Sequence, residues 1–389
     1  MSARAGGGRA RIVAGALGVG AIAALAGLAA SAVANDLATP RDLHDGTYVG
    51  SGECQRCHPD HHASWARTFH RTMTQEASDE AVLGEFDGRT LSYGGLEARM
   101  TRDEGRFVIA IEQDGVELER AIVERTVGSH RYQQFLAREG DAWWRLPIAW
   151  DVEEARFFHM NAAFLTPDPA GLGARTIERA DYRRHVTRWN DNCVFCHNVA
   201  PDPGLDPATG RFTTEVAELG IACEACHGPG GEHAARNADP LRRYWLHYLT
   251  DHDDGDPTIV SPARLPPEQR ADVCGRCHGQ RITDDVGAFL ASGDPFVPGD
   301  DLALYSSPLW HDTTIGDQER VFEPRFWGDG TPRLTAYEYQ GLLLSRCASE
   351  GALTCTDCHG MHEGDPSGQL RPSVAQGDAM CAGACHAEL

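Results

Sequence analysis

The sequence contains no lysine: all 35 of its basic residues are arginine, set against 57 acidic ones. Without an ε-amino group the chain cannot build a P-loop nucleotide site, a Schiff base or a lysine general base. Positive charge is also scarce overall. A formal charge of -22 argues against nucleic acid or an anionic membrane surface as a partner, since both are bound by clustered cations. Long apolar runs are missing after the first 35 residues. What the chain has in excess is cysteine, 13 residues in 389.

Arg4, Arg9 and Arg11 precede residues 12 to 35, which carry no charge, and Ala32-Val33-Ala34 supplies small residues at a cleavage spacing. This reads as a secretory signal over residues 1–34, cut after Ala34, for a periplasmic or otherwise exported protein. A retained anchor helix is the rival, because the uncharged stretch is long enough to span a bilayer. Cleavage removes three Arg and no acid, which takes the charge from -22 to -25 and leaves no integral membrane span.

Twelve of the cysteines fall in six pairs, each followed at once by histidine: Cys54, Cys57, His58; Cys193, Cys196, His197; Cys223, Cys226, His227; Cys274, Cys277, His278; Cys355, Cys358, His359; and Cys381, Cys385, His386. Cys-x-x-Cys-His is the attachment signature of c-type haem. Two thioethers grip the vinyl groups and the adjacent imidazole becomes the proximal iron ligand. The composition gives about 0.02 such motifs by chance, against five of standard spacing. Zinc is a poorer reading, since an oxidising compartment does not keep thiols for it and His abutting the second Cys is not the finger arrangement. Disulfides across two residues would be strained rings. The sixth motif has one residue too many, which moves its second sulfur by about 100° around a helix. Its cofactor reading is a sixth haem c. The competing one is a Cys381 to Cys347 disulfide; with six haems, Cys347 is expected as a buried thiol.

Twelve histidines remain for the distal side of the irons, and methionine is scarce. Bis-histidine ligation at low potential is therefore expected. His70, His185, His233 and His362 lead as distal ligands, followed by His130 and His247; His44 is set aside. His362 follows His359 too closely to reach round the same haem, so it must serve a neighbour, and the same holds for His61, His62 and His233 relative to their own motifs.

The gap between the first motif and the other five is strand-like. Leu91 and Tyr93, Ala98 and Met100, then Phe107, Ile109 and Ile111 alternate around turn signals at Asp103-Glu104-Gly105 and Asp114-Gly115, and Trp143 to Ile148 adds a further strand. The expected fold class is mainly α with much irregular structure, packed by haem, with a small antiparallel β insert near residues 88–150. The expected domains are 35–84, a first haem segment; 85–150, the strand-rich insert; and 151–389, with five motifs. Helices are expected after His58 through Met73, around Tyr182 to Asn192, and from Leu334 to Ser349. The acidic run Asp251 to Asp256 reads as a solvated loop.

The chain resembles the multihaem cytochromes related to cytochrome c-554. The resemblance rests on Tyr48-Val49-Gly50-Ser51-Gly52-Glu53-Cys54 with Trp65 and His70, on Val127-Gly128-Ser129 with Gln133-Gln134-Phe135-Leu136 and Leu146-Pro147-Ile148-Ala149-Trp150-Asp151, and on Trp189-Asn190. Gly220 to Gly230 with His233, and Thr354 to His362, complete it. It implies an exported electron-transfer protein with His70, His233 and His362 in distal positions. The final motif's longer spacer and Cys347, where relatives tend to place Met, depart from that pattern. The function expected is an electron relay between redox proteins rather than an enzyme. The other reading is an oxidoreductase acting on a small nitrogen or sulfur compound at one five-coordinate haem. Lysine-ligated catalytic irons, as in multihaem nitrite and tetrathionate reductases, are excluded.

Overall fold

The structure is a computed structural model that describes residues 7–160, 186–250, 255–334, 336–362, 369–371, 381 and 386. The chain divides into two compact units, Met1–Thr47 with Pro229–Ser261, and Tyr48–Gly228 with Pro262–Leu389.

In the second unit the alternating segments form two antiparallel sheets. Strands β1 (Thr74–Glu76), β2 (Thr90–Tyr93), β3 (Leu96–Asp103), β4 (Arg106–Gln113), β5 (Val116–Val123), β6 (Arg125–Val127), β7 (Tyr132–Glu139), β8 (Ala142–Asp151), β9 (Arg156–His159) and β10 (Thr187–Arg188) supply them. One sheet has the order β2-β3-β4-β5; the other runs β1-β6-β7-β8-β10, with β9 also on β8. β3 shows why: Leu96, Ala98 and Met100 are buried while Glu97 and Arg99 between them are exposed. Asp114 and Gly115, both at positive φ, turn β4 into β5, the conformation an Asp-Gly hairpin supplies without strain. Phe86 packs edge-on against Phe107, Phe135 and Phe157 at 5.1, 5.4 and 5.6 Å between the layers.

These sheets overturn the mainly α expectation. Helix occupies 32% and strand 24%, and 31 of the helical residues belong to one N-terminal element, α1 (Gly7–Leu37). The remaining helices are short: α2 (Ser51–Gln55), α3 (Pro59–Trp65), α4 (Val194–His197), α5 (Cys223–His227), α6 (Gly231–Arg236), α7 (Pro240–Tyr248), α8 (Pro267–His278), α9 (Val286–Ser292), α10 (Glu338–Leu344), α11 (Arg346–Gly351) and α12 (Cys355–Cys358). α3 stops at Trp65, short of Met73, because the Thr68 and Thr72 hydroxyls donate to the Trp65 and Phe69 carbonyls and divert the backbone. The expected helix from Leu334 to Ser349 breaks at Ser345, whose side chain caps α11 by accepting from the Cys347 N–H at 3.1 Å. Residues 187–188 are strand rather than helix.

In the first unit, α1 is long and apolar enough over Val19–Leu37 to cross a membrane and lies near the N-terminus, which is compatible with a signal sequence. Its end is held by charge. Asp36 accepts from Arg41 at 2.6 Å, from Arg236 at 2.5 Å and from the buried Arg242. Arg242 also pairs with Asp256 at 2.7 Å. Asp256 therefore leaves the solvated-loop reading: it is buried and bonded to Thr258, Asn237 and His233.

Candidate haem centre

Each standard motif sits on about one helical turn, which brings its histidine back beside its first cysteine. The His58 N–H donates to the Cys54 carbonyl at 2.9 Å, and His359 does the same to Cys355 at 2.9 Å. In the sixth motif His386 donates to Cys381, also at 2.9 Å, although five residues rather than four separate them. Cys385 lies outside the described residues.

Five motifs converge within the second unit. The Cys54 thiol hydrogen-bonds that of Cys223, Cys196 that of Cys277, and Cys274 that of Cys355. Cys277 and Cys355 are drawn down to about 7 by those thiol contacts, and burial pushes Cys226 up to about 11. Among the described residues Cys347 and Cys381 form no disulfide. Cys347 is exposed on α11, against the expectation of a buried thiol.

The acids and bases between the cysteines act as struts, a role that spacing alone did not disclose. Glu224, buried inside the third motif, accepts the N–H groups of Val49 and Gly50 at 3.0 and 2.8 Å, just ahead of the first motif. Glu218 accepts from the Ser51 N–H at 2.8 Å. Arg276, inside the fourth motif, pairs with Asp294 at 2.7 Å. Trp65 donates to the Ile221 carbonyl at 2.8 Å, and Ile221 donates to the His70 carbonyl at 2.9 Å, which seats His70 beside the third and fourth motifs.

Histidines from separate segments meet in this centre. His70 and His278 have ring centres 6.2 Å apart, and His227 and His362 have theirs 6.1 Å apart. Two imidazoles on opposite sides of one metal ion, each with a bond of about 2 Å, place their centres about 6 Å apart. His61 lies 4.6 Å from His362, too near to share an ion with it across a haem plane. Burial, reinforced by neighbouring imidazoles, pushes His70 and His362 down to about 4, and burial does the same to His197. They are neutral at pH 7, the form that binds metal. Paired cysteines beside neutral imidazoles are the donor set that covalent haem requires.

The other expected ligands are placed differently. His130 stacks on Phe69 at 4.4 Å. His247 is exposed on α7 against Tyr248. His233, in the first unit, has Nδ1 3.2 Å from the Asp256 carboxylate. His185 lies outside the described residues.

No family model and no curated protein matches the chain. Among solved structures it is similar to an outer cell wall cytochrome, OcwA, with 16% identity and a TM-score of 0.50 over 87% of this chain and 67% of that one. It is also similar to an undecaheme cytochrome from the S-layer of Carboxydothermus ferrireducens, with 18% identity and a TM-score of 0.38 over 89% of this chain and 44% of that one. The first likeness shows a shared cytochrome fold; the second superposition is too loose to argue from. Neither singles out the cytochrome c-554 group.

Proposed function

We propose that the chain is an exported multihaem c-type cytochrome that relays electrons between redox proteins. The observation that carries this reading is the meeting of His70 with His278 and of His362 with His227 at bis-histidine separation, next to Cys-x-x-Cys pairs. The cysteines of the six motifs would hold haem c through thioethers, with His58, His197, His227, His278, His359 and His386 proximal. The preserved bond from His386 to Cys381 supports including the sixth. The fold shared with OcwA supports the same class.

Haem supplies one-electron chemistry at iron. The chain's task is to hold neighbouring motifs close together, through the struts at Glu224 and Arg276, so that transfer steps between them are short. Crossed ligation serves this: His362, from the fifth motif's segment, faces the third motif's histidine, and His70, downstream of the first motif, faces the fourth's. His233 and His185 are proposed as further distal ligands. For export, cleavage after Ala34 leaves Asp36 as the second residue of the mature chain, already bonded to three arginines. The acidic chain should dock on a basic patch of its partner, with association slowing as salt rises.

The test is the spectrum of the ferric holoprotein and of His70→Ala. Low-spin haem throughout, with one haem turned high-spin by the substitution, supports the relay. A stoichiometric high-spin haem in the unmodified protein that binds nitric oxide, hydroxylamine or nitrite would favour the enzyme instead.

A further inference from the structure

One carboxylate faces the fourth motif's histidine and has no part in the reading above. Glu338 opens α10, and its Oε2 lies 3.7 Å from Nδ1 of His278. The two residues after it fix that placement. Tyr339 lays its ring on Gly275, where an added Cβ would come within 2.4 Å of its Cδ2, and it donates to the buried Asp272 at 2.5 Å. Gln340 donates to the carbonyl of Gln280 at 2.7 Å, just past the motif. Three consecutive side chains of α10 thus grip both flanks of Cys274 to His278.

On the opposite side, His70 has Nδ1 3.2 Å from the amide of Gln369. With Nδ1 of both rings facing a partner, Nε2 of each is left as the ligating atom. Outer-sphere groups of this kind orient a ligating imidazole and set its basicity. As a surface ion pair, Glu338 with His278 would add little stability, because the two side chains are 54% and 56% exposed. Their arrangement has its effect on the metal.

We infer that Glu338 is a positioning residue for the iron shared by His278 and His70, and that its negative charge holds the reduction potential of that iron below the value a neutral partner would give. This rests on the bis-histidine reading. The step concerned is one-electron reduction of ferric to ferrous iron. The carboxylate favours the ferric side by making His278 a more basic ligand and by its own field. Cys277 and Cys274 of the fourth motif lie beside Cys196 of the second and Cys355 of the fifth, so the haem it would hold neighbours two others.

The test compares the full-length mature holoprotein with Glu338→Gln, Glu338→Asp and Glu350→Gln. Glu350 is an exposed carboxylate on the next helix, paired with Arg346. Redox titration followed by electron paramagnetic resonance is expected to show one haem in Glu338→Gln displaced about tenfold towards ferrous, which is 59 mV for one electron, with its low-spin signal kept. Glu338→Asp should move the same haem less, and Glu350→Gln should move none. Unchanged potentials in Glu338→Gln with all haems low-spin, or an equal shift in Glu350→Gln, overturn the inference. Should the Gln variant fail to assemble, an unshifted Glu338→Asp overturns it. Failure of the underlying reading shows separately, as a His70→Ala variant that loses no low-spin signal present in the unmodified protein.

Discussion

Sixteen buried residues form the hydrophobic cluster between the two sheets, whereas the clusters around Val194 and around Trp65, beside the motifs, hold four and three. The first region has a peptide core of its own, with Met100 and Phe135 wholly shielded from water. The second has one-turn helices, paired cysteines and neutral imidazoles, joined by carboxylate struts. The difference shows where each draws its order. The sheets close through side-chain burial, whereas the motif segments, on the proposed reading, would need a covalent cofactor to fill the space between them, because short helices without a shared apolar face are marginal alone.

The largest expected effect comes from denying the chain its haem. Replacing the motif cysteines by alanine should leave the sheets ordered and the segments from Val194 to Cys358 unprotected in hydrogen exchange. Equal loss in both regions would erase the contrast. Next is Phe135→Ala, which should destabilise the sheet region by about 3–5 kcal/mol in denaturant while haem content, read from the Soret band, is unchanged. Glu224→Ala should cost about 1–3 kcal/mol by stranding the Val49 and Gly50 N–H groups, and should loosen the first motif before the sheets in hydrogen exchange. The smallest effect is Arg346→Ala, an exposed helix pair with Glu350, at about 0.5 kcal/mol or less in the same denaturant assay.

Much of this contrast was legible in the sequence. Alternation marked β2 to β5 and β8, and the motif spacing marked the candidate haem sites, because both are local periodicities. The weight of strand was underread, since β1, β6, β7 and β9 are short or interrupted, and the long helix that raises the helical share is the N-terminal one. That His362 meets His227 rather than His359 was anticipated in kind from chain length, but the partner was not, because it depends on folding over more than a hundred residues. Glu224, Glu218 and Glu338 gave no signal: a lone acid looks the same in a sequence whether it faces water or a motif. Cys347 was expected inside on the general habit of free cysteine, yet α11 turns it outward.

Intact-mass spectrometry of the mature protein addresses the central claim most directly. A chain beginning at Asn35 and carrying six covalent haems is the expected result; five would remove the sixth motif alone. The bare polypeptide mass, with the cysteines free or disulfide-linked, would contradict the account.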